Sequence, residues 1–456
     1  MKIIIYGAGE IGYSIASYLA AEQNDVSVID ESPERIAYVR ETLDVQGLEG
    51  RGSFPDVLEK ADAARADLLI AVTPVDEFNI MACQVAYSVF NVPTKVAHIR
   101  SNHYLDPAWS HIYNPNHIPV DFIISPEREV AQSLLDNFHV PGAMSVIPIH
   151  HPCLSVISLY CHEGCPLLKQ PFADLGRRFP DLPFRVVCIL REGEPIIPGP
   201  NDVLYAYDEI YVVLEKNLLS KFLSIFGREN DPLQNVVIIG AGRVGCALTE
   251  KIGQAYPTLN VKVIERDQKQ ALFAAKNLEN VVVIQGDALD AQFLRESNVS
   301  SADRVICVTN NDETNVLSGL LSKNLKAKHV TALVNKETYP KFLPSLGIDS
   351  VINPSTITIS HILQRIHQGN IQSLFVLQGG FGSIFEHTIT DNSPLVGEKF
   401  RLFNVPHQCI LGGVIRGKQF LIPKSQEFIQ MGDHVILLGL RDSVSIIESL
   451  LKGSSL

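Results

Sequence analysis

The sequence predicts an α/β protein: two doubly wound parallel-sheet domains, each followed by a smaller α+β lobe. Three observations carry that expectation. A glycine-punctuated strand-to-helix turn occurs twice, as MKIIIYGAGEIGYSI at the start and as NVVIIGAGRVGCAL at 235–248. After each copy, short Val- and Ile-rich runs alternate with amphipathic stretches, the pattern of consecutive βαβ units. A second repeat, with short strands, turn residues and little helix, closes each half: RVVCILREGEPIIPGPNDVLYAYDEIYVVLEK and CILGGVIRGKQFLIPKSQEFIQMGDHVILLGL. The chain therefore reads as one two-part unit used twice.

The elements can be justified in order. The apolar run IIIY is a strand, and Gly7, Gly9 and Gly12 punctuate the turn that follows it. A lysine before an apolar run could also open an export signal, but Glu10 interrupts the run and the motif recurs in mid-chain, where an export signal has no role. VSVIDESPERI at 26–36 corresponds to VKVIERDQKQA at 261–271. The stretch PERIAYVRETL places Ile36, Val39 and Leu43 on one helical face. ADLLIAVTPVDEFNIMACQVA at 66–86 matches ADRVICVTNNDETNVLSGLLS at 302–322, aligning Thr73 with Thr309, Asp76 with Asp312 and Asn79 with Asn315. In the lobes Arg191 matches Arg416, Pro198 matches Pro423 and Asp208 matches Asp433, and CPLL at 165–168 has a looser counterpart in SPLV at 393–396. The polar segment SIFGRENDPLQ at 224–234 marks the break between halves.

Composition sets the outer limits. At 456 residues the chain exceeds one ordinary core, and 46% apolar with 19% charged residues is a soluble globular balance. A net charge of −12 argues against a broad nucleic-acid surface and against docking on anionic lipid by charge alone. No apolar run reaches the ~18 residues of a membrane span. Any membrane role would therefore go through a protein partner. The eight cysteines are spread thinly, several inside strand-like runs such as RVVCIL and RVICVT, which reads as reduced core cysteine.

The repeated turn has a definite chemistry. In a GxGxxG turn the first glycine allows the tight bend, the second admits a pyrophosphate to the backbone, and the third lets helix and strand pack closely. The helix N-terminus then offers free N–H groups and the positive end of its dipole to phosphate. An acid at the end of the next strand, Asp30 in one copy and Glu265 in the other, can take both ribose hydroxyls and favours NAD over NADP. The expected nucleotide contacts are Gly7, Ala8, Gly9, Glu10, Ile11, Gly12 and Asp30 in the first pocket. In the second they are Gly240, Ala241, Gly242, Arg243, Val244, Gly245 and Glu265. Further contacts belong at the carboxyl ends of later strands: Thr73 and Pro74, Thr309 and Asn310, and His98, whose alternative is a solvated loop histidine. Asp287 can face the adenosine of the second pocket, whereas its counterpart in the first is Arg51.

A dehydrogenase would need a substrate site and a proton donor or acceptor beside the nicotinamide. The lobes are short, are themselves repeated, and show no Arg–His–Asp constellation; two nucleotide domains suit ligand sensing better than one reaction. An NAD-dependent oxidoreductase with an unrecognised substrate is the alternative. His150, His151, Cys153, Cys161, His162 and Cys165 lie close in sequence and invite a zinc reading, but their spacing is poor for a structural site and the second lobe lacks them. No metal site and no catalytic residue is expected.

Taken together, the doubled GxGxxG, Asp30 and Glu265, AVTPVDEFNIMACQVAYSVFN, CVTNNDETNVLSGLL and PVDFIISPE at 119–127 resemble the TrkA family, cytosolic regulatory subunits of Trk-type potassium uptake systems. The resemblance covers essentially the whole chain. It implies Rossmann-type RCK-N domains at 1–130 and 234–360, and RCK-C lobes at 135–218 and 366–453. It also implies binding of NAD(H) or of ATP and ADP, and a ring, a homotetramer or a dimer, held at the cytoplasmic face of the membrane by a potassium-translocating subunit. Two departures concern the first pocket: Pro74 stands where the second copy has Asn310, and Arg51 replaces the acid of the common GD pair. A third difference is Glu10 against Arg243. An arginine at the helix start can pair with a phosphate chain, while a glutamate there repels added phosphate charge. The second pocket is therefore expected to tolerate ATP and the first to prefer NAD(H), provided the two side chains do not simply point to solvent.

Overall fold

The structure is a computed structural model. It describes residues 1–140, 142–147, 149, 153–227, 233–336, 339, 343–366, 373–377, 379–391, 393, 395–400, 408–417, 419–423, 426–443, 447 and 451. His150, His151 and residues 228–232 of the expected break between halves lie outside the described residues.

The first sheet contains β1 (Lys2–Tyr6), β2 (Asp25–Asp30), β3 (Gln46–Glu49), β4 (Leu68–Ala71), β5 (Thr94–His98) and β6 (Phe122–Ile124). These strands are all parallel, in the order β3-β2-β1-β4-β5-β6. The order reverses between β1 and β4, the switch point where such sheets hold ligands. The connecting helices are α1 (Glu10–Ala21), α2 (Pro33–Thr42), α3 (Pro55–Lys60), α4 (Asp76–Phe90), α5 (Asn102–Leu105) and α6 (Pro126–Asp136). Central strands covered on both faces must be apolar throughout, and Ile3, Ile4, Ile5, Leu68, Leu69 and Ile70 are each at most 1% exposed. Burial of that completeness contributes roughly 1.5–3 kcal/mol per side chain. Helix α2 starts on Ser32, whose hydroxyl accepts from the Arg35 N–H at 3.3 Å, with Pro33 at the first helical position. Its buried residues are Ile36 and Val39; Leu43, expected on the same face, lies past the end of the helix in extended backbone.

The first lobe is an antiparallel sheet of β7 (Ala143–Ile147), β8 (Leu154–Tyr160), β9 (Phe184–Arg191), β10 (Glu194–Ile196) and β11 (Glu209–Glu215) in the order β10-β9-β11-β8-β7. Two short helices, α7 (Phe172–Arg178) and α8 (Leu219–Ile225), accompany it. Cys161 and Cys165, two members of the cysteine–histidine cluster, pack inside this lobe's apolar core with Leu167, Phe222 and Phe226. Cys153 is exposed.

The second half repeats both parts. Strands β12 (Asn235–Ile239), β13 (Asn260–Glu265), β14 (Val281–Gln285), β15 (Arg304–Cys307), β16 (His329–Leu333) and β17 (Ser350–Ile352) form a parallel sheet in the order β14-β13-β12-β15-β16-β17. Its helices are α9 (Arg243–Ala255), α10 (Gln268–Asn277), α11 (Ala291–Glu296), α12 (Asp312–Asn324), α13 (Leu343–Leu346) and α14 (Pro354–Ile366). The second lobe holds β18 (Ser373–Val376), β19 (Gly382–Thr388), β20 (Cys409–Arg416), β21 (Gln419–Leu421) and β22 (His434–Leu440), antiparallel in the order β18-β19-β22-β20-β21. Cys83, Cys188 and Cys307 are fully buried, and burial pushes each thiol up to about 12.

The arginines and aspartates matched between lobes turn out to be ion pairs. Arg191 at the end of β9 grips Asp208 through Nε and Nη2, both at 2.8 Å, and Arg416 grips Asp433 with the same two distances. Each aspartate also accepts a backbone N–H at 2.8 Å, from Tyr205 and Gln430 respectively. Asp208 is 1% and Asp433 0% exposed.

The chain forms two compact units. One comprises Met1–Glu129 with Pro354–Ile366; the other comprises Val130–Asn353 with His367–Leu456. In the first, α14 packs along α1 and β6, so the sheet formed by the N-terminal residues is covered by a helix from late in the chain. In the second, the two lobes share one apolar core, which includes Val156, Val187, Tyr211, Ile384, Ile436 and Leu438.

Candidate nucleotide-binding sites

Each parallel sheet ends in the same turn. Gly7 adopts φ +113° and Gly240 φ +106°, the region that favours glycine. A side chain at Gly7 would meet the Thr73 N and Val72 carbonyl at 3.0 Å, and one at Gly240 would meet the Thr309 N at 2.9 Å. Gly12 and Gly245 allow close packing of another kind: a Cβ there would lie 1.8 Å from the Gly7 O and 2.0 Å from the Gly240 O. Gly9 and Gly242 are different. They cap α1 and α9 in extended backbone, and a Cβ at either meets nothing within 4 Å. The first and third glycines thus serve the fold, and the middle one leaves open space before a helix N-terminus, the arrangement that receives phosphate.

The acids end β2 and β13 and fasten this turn. Asp30 Oδ2 accepts from the Ala8 N–H at 2.7 Å and Oδ1 from the Ser32 N–H at 2.8 Å. Glu265 Oε2 accepts from the Ala241 N–H at 2.8 Å and Oε1 from the Asp267 N–H at 2.9 Å. Every carboxylate oxygen has acceptor capacity left for a ribose hydroxyl. Ala8 and Ala241 are buried, while Ile11 and Val244 are half-buried. Glu10 and Arg243 both stand exposed on the first helical turn.

Thr73 and Thr309 are held by residues whose role the sequence did not reveal. Asn79, fully buried on α4, accepts from the Thr73 N–H at 2.9 Å and hydroxyl at 2.7 Å, and donates to the Thr73 and His98 carbonyls. Asn315 makes the same four contacts to Thr309 and Leu333. One amide therefore ties the ends of two neighbouring strands. Asp76 accepts the Arg100 and Ser101 N–H groups, and Asp312 those of Asn335 and Lys336, fixing the next loop likewise. The alignment of these four residues between halves was the available signal. Pro74 and Asn310 are exposed just past the threonines.

The rims differ in charge. Arg51 Nε lies 3.1 Å from Glu31 Oε1, and its guanidinium lies over the rings of Phe78 and Phe54 at 5.4 and 5.7 Å. The matching positions in the second copy are Asp287 and Arg266, both exposed, with Asp287 Oδ1 accepting from the Leu289 N–H at 2.9 Å. The signs are thus reversed at three positions: Glu10, Glu31 and Arg51 against Arg243, Arg266 and Asp287.

His98 is not a solvated loop residue. It is the last residue of β5 and 1% exposed. Its Nε2 lies 3.6 Å from Glu127 Oε2 and 3.4 Å from Arg100 Nε, which in turn is 3.5 Å from Glu127 Oε1. Burial opposes ionisation of Glu127, but the contacts from His98 and Arg100, with a backbone bond, outweigh it and hold the carboxyl below its usual range. The second copy has Leu333, Asn335 and Ser355 at these positions.

Tandem dinucleotide-type domains, each with an antiparallel lobe and a glycine-rich turn, define a class of paired Rossmann-like modules. The TrkA-N domain family matches residues 3–126 and 236–354, and the TrkA-C domain family matches 157–227 and 384–452. The chain belongs to the TrkA family. A Trk system potassium uptake protein TrkA of Azorhizobium caulinodans is 38% identical over 454 residues, spanning 100% of this chain and 99% of its own. One of Vibrio alginolyticus is 34% identical over 458 residues, with the same coverage. Among solved structures, the GsuK RCK domain superposes with a TM-score of 0.60 at 18% identity, covering 99% of this chain and 95% of its own. A GsuK channel bound to NAD gives a TM-score of 0.61 at 18% identity, covering 99% and 79%. At that identity the likeness shows the fold. Among the described residues no helix is long and apolar enough to cross a membrane.

Proposed function

We propose that this chain is a regulatory subunit of a potassium uptake system, not an enzyme, and that it senses nucleotides through two unequal pockets. The observation that carries this reading is the doubled phosphate turn within a chain matched end to end by potassium uptake proteins. NAD(H) occupies the first pocket, through Gly7–Gly12, Asp30, Thr73, Pro74 and His98. ATP or ADP occupies the second, through Gly240–Gly245, Glu265, Asp287, Thr309 and Asn310. The subunit joins others in a ring, a homotetramer or a dimer, at the cytoplasmic face of the membrane, where it contacts a Trk-type translocating subunit. A nucleotide then shifts the partner only by as much as it prefers one ring state.

The reversed rim charges support the division of ligands. Arg243 and Arg266 favour a longer phosphate chain, and Glu10 and Glu31 disfavour one. Calorimetry on Gly9→Asp and Gly242→Asp tests it, because both positions have open space and the domains should still fold. Gly9→Asp is expected to abolish NAD binding and spare ATP, and Gly242→Asp the converse. Equal loss of both ligands in both variants overturns the division. Nucleotide-dependent potassium flux through the membrane partner tests the function itself; turnover of NADH with a small-molecule substrate would favour an oxidoreductase instead.

Asp30→Ala should weaken NAD binding by ~1–3 kcal/mol, the scale of charge-assisted hydrogen bonds. It should also loosen the turn, since the Ala8 and Ser32 N–H groups lose their acceptor. An unchanged dissociation constant would place the ribose elsewhere.

A further inference from the structure

Tyr207 holds a backbone conformation that suits glycine. Its φ is +74°, in the left-handed region that residues with a side chain rarely adopt. The second lobe shows what the fold itself requires at this point. The counterpart of Tyr207 is Gly432, at φ +81°. The Tyr207 N–H donates to the Cys161 carbonyl at 2.7 Å, and the Gly432 N–H donates to the Ile389 carbonyl at 2.8 Å. The Cys161 and Ile389 N–H groups donate in turn to the Asp208 and Asp433 carbonyls, both at 2.8 Å. The turn is thus the same in both lobes, and a glycine closes it without strain. A tyrosine kept in a strained conformation points to a use for its side chain.

That side chain lines a cavity of about 450 Å³, a volume within the range of small-molecule sites. Tyr160, His162, Glu163 and Tyr207 of the first lobe form one side, and Lys323 and Asp349 of the second parallel-sheet domain belong to the other. The rings of Tyr160 and Tyr207 stand 6.1 Å apart and are tilted by 48°. The Tyr207 hydroxyl donates to Glu163 Oε1 at 2.6 Å and so fixes the carboxylate beside the rings. Lys323 Nζ is already engaged, 2.6 Å from Asp349 Oδ2 and 2.8 Å from the Lys328 carbonyl. With that pair neutralised, Glu163 carries the net charge of the lining wherever His162 is neutral. Its carboxylate has acceptor capacity beyond the bond from Tyr207. Aromatic faces beside such a carboxylate attract a cation, and the carboxylate favours one with an N–H to donate.

We propose that this cavity binds a small organic cation of the primary-amine class, held by the rings of Tyr160 and Tyr207 and by the carboxylate of Glu163. The second lobe lacks the means. In the strand register Thr388 stands where the first lobe has Tyr160, and Gly432 stands where it has Tyr207, so neither ring is present. The site therefore belongs to the first lobe and is separate from both glycine turns.

The test is calorimetry on the full chain with putrescine as titrant, in about 0.15 M sodium chloride to screen the chain's overall negative charge. Saturable binding with a dissociation constant below about 1 mM is expected. Tetramethylammonium, which carries the charge but no N–H, should bind at least about tenfold more weakly. Glu163→Gln, at an exposed position, should weaken putrescine about tenfold or more. Tyr207→Gly should weaken it as much while keeping the melting temperature within about 2 °C of the parent chain, because glycine suits that turn. Absence of saturable putrescine binding overturns the proposal, as does equal binding of tetramethylammonium or unchanged binding in either variant. A larger fall in the melting temperature of Tyr207→Gly would make the tyrosine a structural residue and overturn it as well.

Discussion

Gly12→Ala is expected to destabilise the first nucleotide domain by about 3 kcal/mol, the upper range for forcing atoms into a filled site. The added methyl would lie 1.8 Å from the Gly7 O and 2.9 Å from its carbonyl carbon, and both are backbone atoms with no rotamer to yield. Either α1 moves off the sheet or the turn opens. Gly245→Ala, at 2.0 Å from the Gly240 O, should do the same in the second domain. Gly9→Ala is the control: its φ of −69° suits alanine and its surroundings are open, so stability should change by less than about 0.5 kcal/mol. Thermal unfolding of the three variants checks this. Equal melting temperatures for Gly12→Ala and Gly9→Ala would mean that the helix does not seat against the turn as described.

Asp208→Ala should cost about 1–3 kcal/mol, because the buried carboxylate is the acceptor for both the Arg191 guanidinium, whose side chain is 34% exposed, and the Tyr205 N–H. Asp433→Ala should match it through Arg416 and Gln430. Arg191→Lys keeps the charge but loses the two-pronged grip, so an intermediate loss is expected. Denaturant unfolding followed in lobe-specific probes would read these effects. A loss below about 0.5 kcal/mol in Asp208→Ala would reduce the pair to an ordinary surface contact.

Much of this architecture is legible in the sequence. The alternation of apolar runs gives both parallel sheets, and the glycines with Asp30 and Glu265 mark the ends of the strands they occupy. These are local features, set by the backbone of neighbouring residues. What the sequence hid was long-range. Asp30 reads as a ribose ligand, yet it also holds the Ala8 N–H, a bond visible only when β1 and β2 lie side by side. His98 reads as a nucleotide contact or a solvated loop residue because its partner Glu127 comes after a further strand. Asn79 and Asn315 showed only as matched letters; their role depends on two strand ends meeting beneath one helix. Leu43 fitted a helical face by spacing, but the helix stops one residue earlier.

The placement of α14 has a consequence for how the protein is made. The unit formed by Met1–Glu129 is completed by Pro354–Ile366, so the 224 residues of Val130–Asn353 must be translated between its two pieces. At ~5–20 residues per second that is a delay of roughly 10–45 s. Throughout it the surface of α1 and β6 that α14 covers lacks its cover. Met1–Glu129 is thus made before Val130–Asn353 and completed only after it.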